Sequence, residues 1–422
     1  MRKILLIDFA FTGTKGGGHS ESYLMSILST LGDLGYFVYV CSGNNEKLKD
    51  NIDKNDSKNC AVVDLDLKTS DKLVRHFLKY LDWLTQKLSG MNYVRFSSLS
   101  NLIGVKRLLS ELGSELGEDI PVFFAHTDSI MPAVPTGISR FFFPRQWVGL
   151  CVLPSYQSKL QFGVRRSRLS FLSEKNFSLA SCKGILVLHP LYQRFFRKRF
   201  PQLNCLYLPE LVSFPEKAVE SREPSNLLSR ILSEAKGRKI VAMLGNITPR
   251  KNFLLFLEAA AAISPSKLFT VVLGRIKDKD NAYYQEHSEA IEGLTERLKG
   301  NSLIDTDYYI KSEEEFCSLI EIADATFVHY NKHPFSSNVL AKSIARKKPV
   351  VVNKGHLMEK TVRQYNWPAA AKATPAAISE ALESIIDGRV RISEEGYADF
   401  IADHAPTQFS SSISNVCSAL NE

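Results

Sequence analysis

The chain lacks any stretch approaching the roughly 20 consecutive apolar residues that a membrane-spanning helix requires, although 44% of its 422 residues are hydrophobic. It also lacks any Cys-x-x-Cys pair. Its seven cysteines (Cys41, Cys60, Cys151, Cys182, Cys205, Cys317 and Cys417) are odd in number and scattered. That pattern excludes a disulfide framework and a zinc ribbon, and a reducing compartment is expected. There is no G-x-G-x-x-G dinucleotide fingerprint, no Walker lysine loop and no G-x-S-x-G elbow. Dinucleotide-dependent redox chemistry, P-loop phosphoryl transfer and serine hydrolysis are therefore disfavoured. No spacing of histidines and acids suggests a metal-ligand set, so neither a metal nor another cofactor is expected. The N-terminal MRKILLIDFAFTG has a basic start but an apolar run that stops at Asp8. It predicts a first buried strand and not a signal peptide, and a cytoplasmic protein follows.

What is present is a soluble composition with 23% charged residues and a formal net charge of +8. Length alone makes two domains the expectation. The charge is uneven. Ten Lys or Arg (Lys159, Arg165, Arg166, Arg168, Lys175, Lys183, Arg194, Arg197, Lys198 and Arg199) face the single acid Glu174 between Lys159 and Arg199. Aromatics interleave with the cations in YQRFFRKRF (Tyr192–Phe200). Such a strip suits the anionic inner face of a membrane, with a solvated helix face as the alternative. Nucleic acid is not expected, because no finger, RRM-like or basic-zipper pattern accompanies the charge.

Strand-like and helix-like segments alternate twice. Strands are predicted at Lys3–Ile7, Phe37–Cys41, Ala61–Leu65, Pro121–Ala125, Val148–Val152, Ile185–Leu188 and Leu206–Leu208. Helices are predicted near Ser20–Leu34, Asp71–Leu88, Leu99–Leu116, Arg168–Ser181 and Leu191–Phe200. The polar, Pro-containing ELVSFPEKAVESR (Glu210–Arg222) is predicted to be a linker. The alternation restarts with strands at Lys239–Leu244, Phe269–Leu273, Leu303–Tyr309, Ala325–His329 and Pro349–Val352. Ser312 and Glu315 form a capping box for Ser312–Ile322, and Pro406 is expected to break the chain before a last helix at Ser410–Leu420. The class is therefore α/β: two Rossmann-like, doubly wound parallel-sheet domains with a cleft between them. The expected boundaries are 1–209, a linker at 210–222, 223–404, and a C-terminal helix at 405–422 packing back on the first domain.

The most informative segment is Gly245–Phe253, GNITPRKNF, between the apolar KIVAML and the helix-like LLFLEAAAAI. A strand, a glycine turn and two adjacent cations at a helix start make a phosphate site, because first-turn N–H groups and the helix dipole favour an anion. Arg250 and Lys251 would supply full charges; a basic solvated loop is the alternative. In TGTKGGGHS, Gly17 and Gly18 allow close backbone approach to a ligand, and His19 follows them. His126 directly follows a predicted strand, at the carboxyl edge of the sheet where ligands bind. Asp128 lies near it and is expected to orient an acceptor hydroxyl.

Taken together the chain resembles the GT-B glycosyltransferases, in particular the retaining family 4-like group. Gly245, Asn246, Lys251 and Asn252 correspond to the turn that carries the family's diphosphate-binding lysine, with Asn246 where an arginine is usual. Val271–Gly274 resembles the next strand and its glycine. Tyr308–Phe316, including Tyr309 and Ile310, resembles the loop and capped helix that pass the nucleotide base. His333–Val352 resembles the donor loop, with Ser336, Ser337 and Asn338 at its helix start. The chain departs from the family where two glutamates are usual: Lys342 occupies the second place, and the first falls at or near Pro334. Lys342 is expected to meet a phosphate or an acidic sugar in place of a ribose. The resemblance implies a metal-independent glycosyltransferase that moves a sugar from a nucleotide-diphosphate donor to a glycan or lipid-linked acceptor, in surface polysaccharide or glycolipid synthesis. It implies retention of configuration, a histidine such as His126 on the donor sugar, and donor contacts from Gly17, Gly18, His19, Asn246, Arg250, Lys251, Tyr309, Ile310, Ser336, Ser337, Asn338 and Lys342. The alternatives are a catalytically silent GT-B scaffold and, more remotely, a nucleotide-sugar epimerase.

Overall fold

Runs such as ILLI (Ile4–Ile7) and VVL (Val271–Leu273) have no polar face. Only a strand covered on both sides buries them fully, which is the environment of a parallel sheet between helices. A computed structural model of the chain describes residues 1–10, 18–54, 59–65, 69–89, 96–116, 119–152, 168–210, 212, 226–276, 281–310, 312–333, 335, 337–367 and 370–421. It divides into two compact units, Met1–Leu211 with Pro406–Glu422, and Val212–Ala405.

The first unit holds seven strands: β1 (Arg2–Asp8), β2 (Tyr36–Ser42), β3 (Cys60–Val62), β4 (Val122–Phe124), β5 (Trp147–Cys151), β6 (Cys182–Val187) and β7 (Cys205–Tyr207). Their order is β3-β2-β1-β4-β5-β6-β7, and every pairing is parallel. The order reverses between β1 and β4, so the crevice for a ligand lies outside their carboxyl ends. The C-terminal helix, Pro406–Ser418, belongs to this unit. Phe409, Ile413 and Val416 are buried in one cluster with Tyr23, Leu24 and Leu186. Gly184 on β6 makes room for it, because a Cβ there would lie 2.8 Å from Val416 Cγ2.

The second unit holds β8 (Lys239–Leu244), β9 (Leu268–Leu273), β10 (Ser302–Asp305), β11 (Ala325–Val328), β12 (Val350–Asn353) and β13 (Ala370–Ala371). They run β10-β9-β8-β11-β12-β13, again all parallel. Here the reversal falls between β8 and β11. Helix Phe253–Ala262 buries Phe253, Phe256 and Leu257 against Val272, Phe327 and Val351. At about 1.5–3 kcal/mol for each large apolar side chain buried, such contacts fix the helix over the sheet.

Two sequence expectations are corrected. Pro406 opens the last helix and does not precede it, because proline's fixed φ and missing N–H suit the first helical position. The tenth strand stops at Asp305, not Tyr309; beyond it the Tyr308 hydroxyl donates to Glu315 Oε1 at 2.5 Å. The two-residue β13 carries too short a pattern to be seen in the sequence.

Candidate functional site

In the first unit, β1 ends on Asp8 and β4 is followed by His126, one on each side of the switch point. Asp8 is fully buried. His126 Nδ1 lies 3.0 Å from Asp8 Oδ1, and the same oxygen accepts from Ala10 N at 2.8 Å. Burial by itself lowers the His126 pKa, but the hydrogen bond and charge of Asp8, with the charge of Asp128, outweigh it and leave the pKa raised. Nδ1 is therefore the protonated nitrogen and donates to the carboxylate. Asp8 was legible only as the residue that ends the first apolar run, and its role as a histidine partner depends on a contact across 118 residues.

Asp128 follows His126 in the 3-10 turn Thr127–Ser129. Its Oδ2 accepts from Val152 N at 2.9 Å and its Oδ1 lies 3.8 Å from Cys151 Sγ. That carboxylate finishes the end of β5, and Asp8 is the acid that orients the histidine. Gly18 and His19 open the Gly18–Asp33 helix, while Gly17 lies outside the described residues.

In the second unit, β8 runs into Gly245, whose φ of +80° is left-handed and costs a glycine nothing sterically. The neighbouring Gly274 is required by packing, since a Cβ there would lie 2.0 Å from Gly245 O. The chain then makes a 3-10 turn at Pro249–Lys251, and Asn252 takes φ +55° before the helix begins at Phe253. Arg250 and Lys251 thus precede the helix by a turn and do not lie in its first turn, as the sequence suggested. Asn252 holds this conformation through Nδ2, which donates to His329 O at 3.1 Å and to His329 Nδ1 at 3.0 Å. His329 Nε2 donates in turn to Ala371 O at 3.1 Å. Burial lowers the His329 pKa, in keeping with a neutral ring that accepts at Nδ1 and donates at Nε2.

Lys251 is only 7% exposed. Its ammonium donates to Leu244 O at 2.9 Å and sits 5.5 Å from the centre of the Tyr330 ring. The Arg250 guanidinium lies 5.5 Å from the same ring, and its Nη1 is 2.5 Å from His333 Nδ1. Burial first, and the adjacent Arg250 charge second, bring the Lys251 pKa down to about 7. Near neutral pH the Lys251 side chain is thus partly protonated, beside the Arg250 guanidinium. Among the described residues no carboxylate pairs with either.

Phe316 joins this group: its ring edge would be 3.7 Å from a Cβ on Gly245, and Lys342 Nζ lies 5.2 Å from its centre. Lys342 is buried, on helix Asn338–Ala345, and its ammonium pairs with the Glu313 carboxylate. Ser337 caps that helix, its Oγ accepting from Leu340 N at 3.4 Å, and it hydrogen-bonds the buried Tyr330 hydroxyl. Asn338 is the first helical residue. Asn246 is exposed, Tyr309 is exposed, and Ile310 is half-buried against the sheet. Ser336 lies outside the described residues. The sequence reasoning missed Tyr330, His333 and Glu313 as site residues; Tyr330 precedes the donor-loop segment, His333 opens it and Glu313 opens a capped helix, so only position, not chemistry, pointed to them.

Of the basic strip, 159–167 lies outside the described residues. In the helix Pro190–Arg199, Arg194, Arg197, Lys198 and Arg199 are exposed, but Tyr192 and Phe196 are buried. Those aromatics recur every four residues and face the core, which corrects their expected part in a membrane contact. Among the described residues no three His, Cys, Asp or Glu side chains gather as a metal set.

Residues 225–400 match the family model described as Glycosyl transferases group 1. The match covers most of the second unit. No curated protein matches the chain. Among solved structures it is similar to sucrose-phosphate synthase from Thermosynechococcus elongatus (14% identity, 100% of this chain and 99% of that one, TM-score 0.67). It is also similar to Anabaena Alr3699/HepE in complex with UDP and glucose (14% identity, 99% and 100%, TM-score 0.64). WaaG, a glycosyltransferase involved in lipopolysaccharide biosynthesis, superposes with 14% identity, 100% of both chains and a TM-score of 0.60. The two parallel-sheet units are the GT-B fold, and in GT-B terms the Gly245–Asn252 turn lies in the C-terminal domain.

Proposed function

We propose that the chain is a metal-independent glycosyltransferase that moves a sugar from a nucleotide-diphosphate donor to an acceptor hydroxyl, in the synthesis of a surface polysaccharide or glycolipid. The observation that carries this reading is the pair Arg250 and Lys251 at the β8–β11 switch point, with no carboxylate paired to either among the described residues. Two adjacent cations, one of them buried, are stabilised by an anion, and a diphosphate supplies the charge. As the bond from the anomeric carbon to the diphosphate oxygen breaks, negative charge grows on the leaving group. Arg250 and protonated Lys251 stabilise that charge, which is the electrostatic form of catalysis. The acceptor oxygen bonds to the anomeric carbon on the face from which the leaving group departs, and its proton passes to a phosphate oxygen of that leaving group, so configuration is retained.

Asn246, Ser337, Asn338 and the segment at Tyr309 and Ile310 complete the donor site in this proposal, and Lys342 offers its partner carboxylate, Glu313, toward the nucleoside. The first unit takes the acceptor, and Gly17, Gly18 and His19, which follow β1 in the sequence, contribute contacts. His126, held by Asp8, donates a hydrogen bond to a sugar hydroxyl. The basic strip at 159–199 contributes to attraction by an anionic membrane face. No helix among the described residues is long and apolar enough to cross a membrane. A silent scaffold that binds sugar nucleotide without turnover is the second reading, favoured by Lys342 at a family glutamate's place. A thermal-shift screen of nucleoside diphosphates tests the site, since a ligand at 100 times its Kd stabilises by about 2.7 kcal/mol. Stabilisation that disappears in Lys251→Ala supports it; no shift with any nucleoside diphosphate overturns it.

A further inference from the structure

The helix Thr69–Ser89 is apolar on a side that nothing among the described residues covers. Leu73, Val74, Phe77, Tyr80 and Trp83 are between 42% and 69% exposed. Leu73, Phe77, Tyr80 and Leu84 follow at steps of four, three and four, so they share one face. The helix is held on the first unit from elsewhere on its surface, where Leu78 is buried. A monomeric soluble domain rarely exposes so much contiguous apolar surface without a use for it.

The polar groups around this face say what covers it. Lys79 and Lys87 are exposed, and Lys87 Nζ stands 5.0 Å over the Trp83 ring, which stacks on Tyr80 at 5.7 Å between centres. Arg75 adds a third cation. The only acid from Leu73 to Lys87 is Asp82, and its carboxylate accepts from the backbone N–H groups of Phe96 and Ser97. The face is therefore apolar, aromatic and cationic together. A symmetric contact with a second copy would set these cations against each other. An anionic lipid surface takes the apolar stripe among its acyl chains, the Tyr and Trp rings at headgroup level, and the lysines against phosphate.

We propose that this helix lies in the surface of an anionic membrane and is the element that docks the protein there. The proposal is independent of sugar transfer and moves the docking element from the 159–199 strip to the Thr69–Ser89 helix.

The test uses the full chain and vesicles of phosphatidylcholine with or without phosphatidylglycerol. Of the three tryptophans, Trp147 and Trp367 are buried and Trp83 is exposed, so a blue shift of tryptophan emission on vesicles reports this helix. Wild type is expected to sediment with the phosphatidylglycerol vesicles, less at high salt, and to show the shift. Leu73→Ser/Phe77→Ser/Tyr80→Ser, which keeps Trp83, is expected to lose roughly tenfold or more in partitioning with an unchanged Tm. Lys79→Glu/Lys87→Glu is expected to lose the preference for phosphatidylglycerol. Four results overturn the proposal: no sedimentation of wild type; a triple variant that partitions like wild type; binding without the emission shift; and a wild-type dimer that the triple variant dissolves while neither binds vesicles. If Arg194→Ser/Lys198→Ser/Arg199→Ser abolishes binding and the triple variant does not, the basic strip and not this helix docks the protein.

Discussion

Replacing Lys251 separates two consequences of its burial. In the free protein the ammonium is held at a pKa of about 7 by burial and by Arg250, against an ordinary 10.5 in the unfolded chain. Between those values the unfolded chain binds the extra proton, so this lysine's contribution to stability rises with pH from about 7 and is most unfavourable below it. Lys251→Met should therefore stabilise the free protein at pH 6–7. A bound diphosphate reverses the balance, because its charge favours the ammonium and raises the pKa again. Affinity of the wild type should then fall by up to tenfold per pH unit above pH 7, or about 1.4 kcal/mol for each unit. The comparison belongs at pH 7.5 and 9, where the terminal phosphate of a nucleoside diphosphate no longer titrates. Calorimetry in buffers of different ionisation enthalpy reads both the affinity and the proton taken up. Lys251→Met should bind at least tenfold more weakly at pH 7.5, with little pH dependence and no proton uptake. Equal wild-type affinity at the two pH values, with no proton taken up, would refute the placement of the diphosphate on Lys251.

Asp8→Asn removes the carboxylate that holds the His126 pKa up; burial then dominates, and the imidazole should titrate lower by NMR, an unchanged value ruling out the pair as the cause. Lys342→Glu sets two carboxylates together where Lys342 now pairs with Glu313, so nucleoside-diphosphate binding and Tm should both fall, and adding Glu313→Lys should restore Tm. Failure of that rescue would show that the pair does not order the site. Gly274→Ala puts a Cβ 2.0 Å from Gly245 O and should destabilise by about 1–3 kcal/mol or more in urea unfolding, whereas a neutral substitution would mean that the β8 turn is not packed as described.

The alternation of apolar runs with amphipathic segments carried the fold, because a buried parallel strand cannot hide its composition: KIVAML became β8 and ILLI the centre of β1. The phosphate turn was legible for a local reason, a strand, a glycine and two cations within nine residues. Its chemistry was not. The lowered Lys251 pKa arises from burial and from Arg250, in a setting that includes the Tyr330 ring 79 positions later in the chain, and sequence spacing carries no sign of that burial. The same holds for His126, which stood out as a strand-end histidine while its partner Asp8 looked like the end of an apolar run. The misplaced aromatics of Tyr192–Phe200 have a different cause. A period of four places Tyr192 and Phe196 on one helix face with the cations on another, and composition alone does not say which face meets the core.

Transfer itself is the most direct test. Purified protein, a panel of nucleotide-diphosphate sugars and a membrane extract as acceptor source should release nucleoside diphosphate from at least one donor, in step with sugar appearing in the glycolipid or polysaccharide fraction. Release should drop at least tenfold in Lys251→Ala. A donor that binds in calorimetry but is never turned over, with any extract, would contradict catalysis and leave a sugar-nucleotide-binding scaffold.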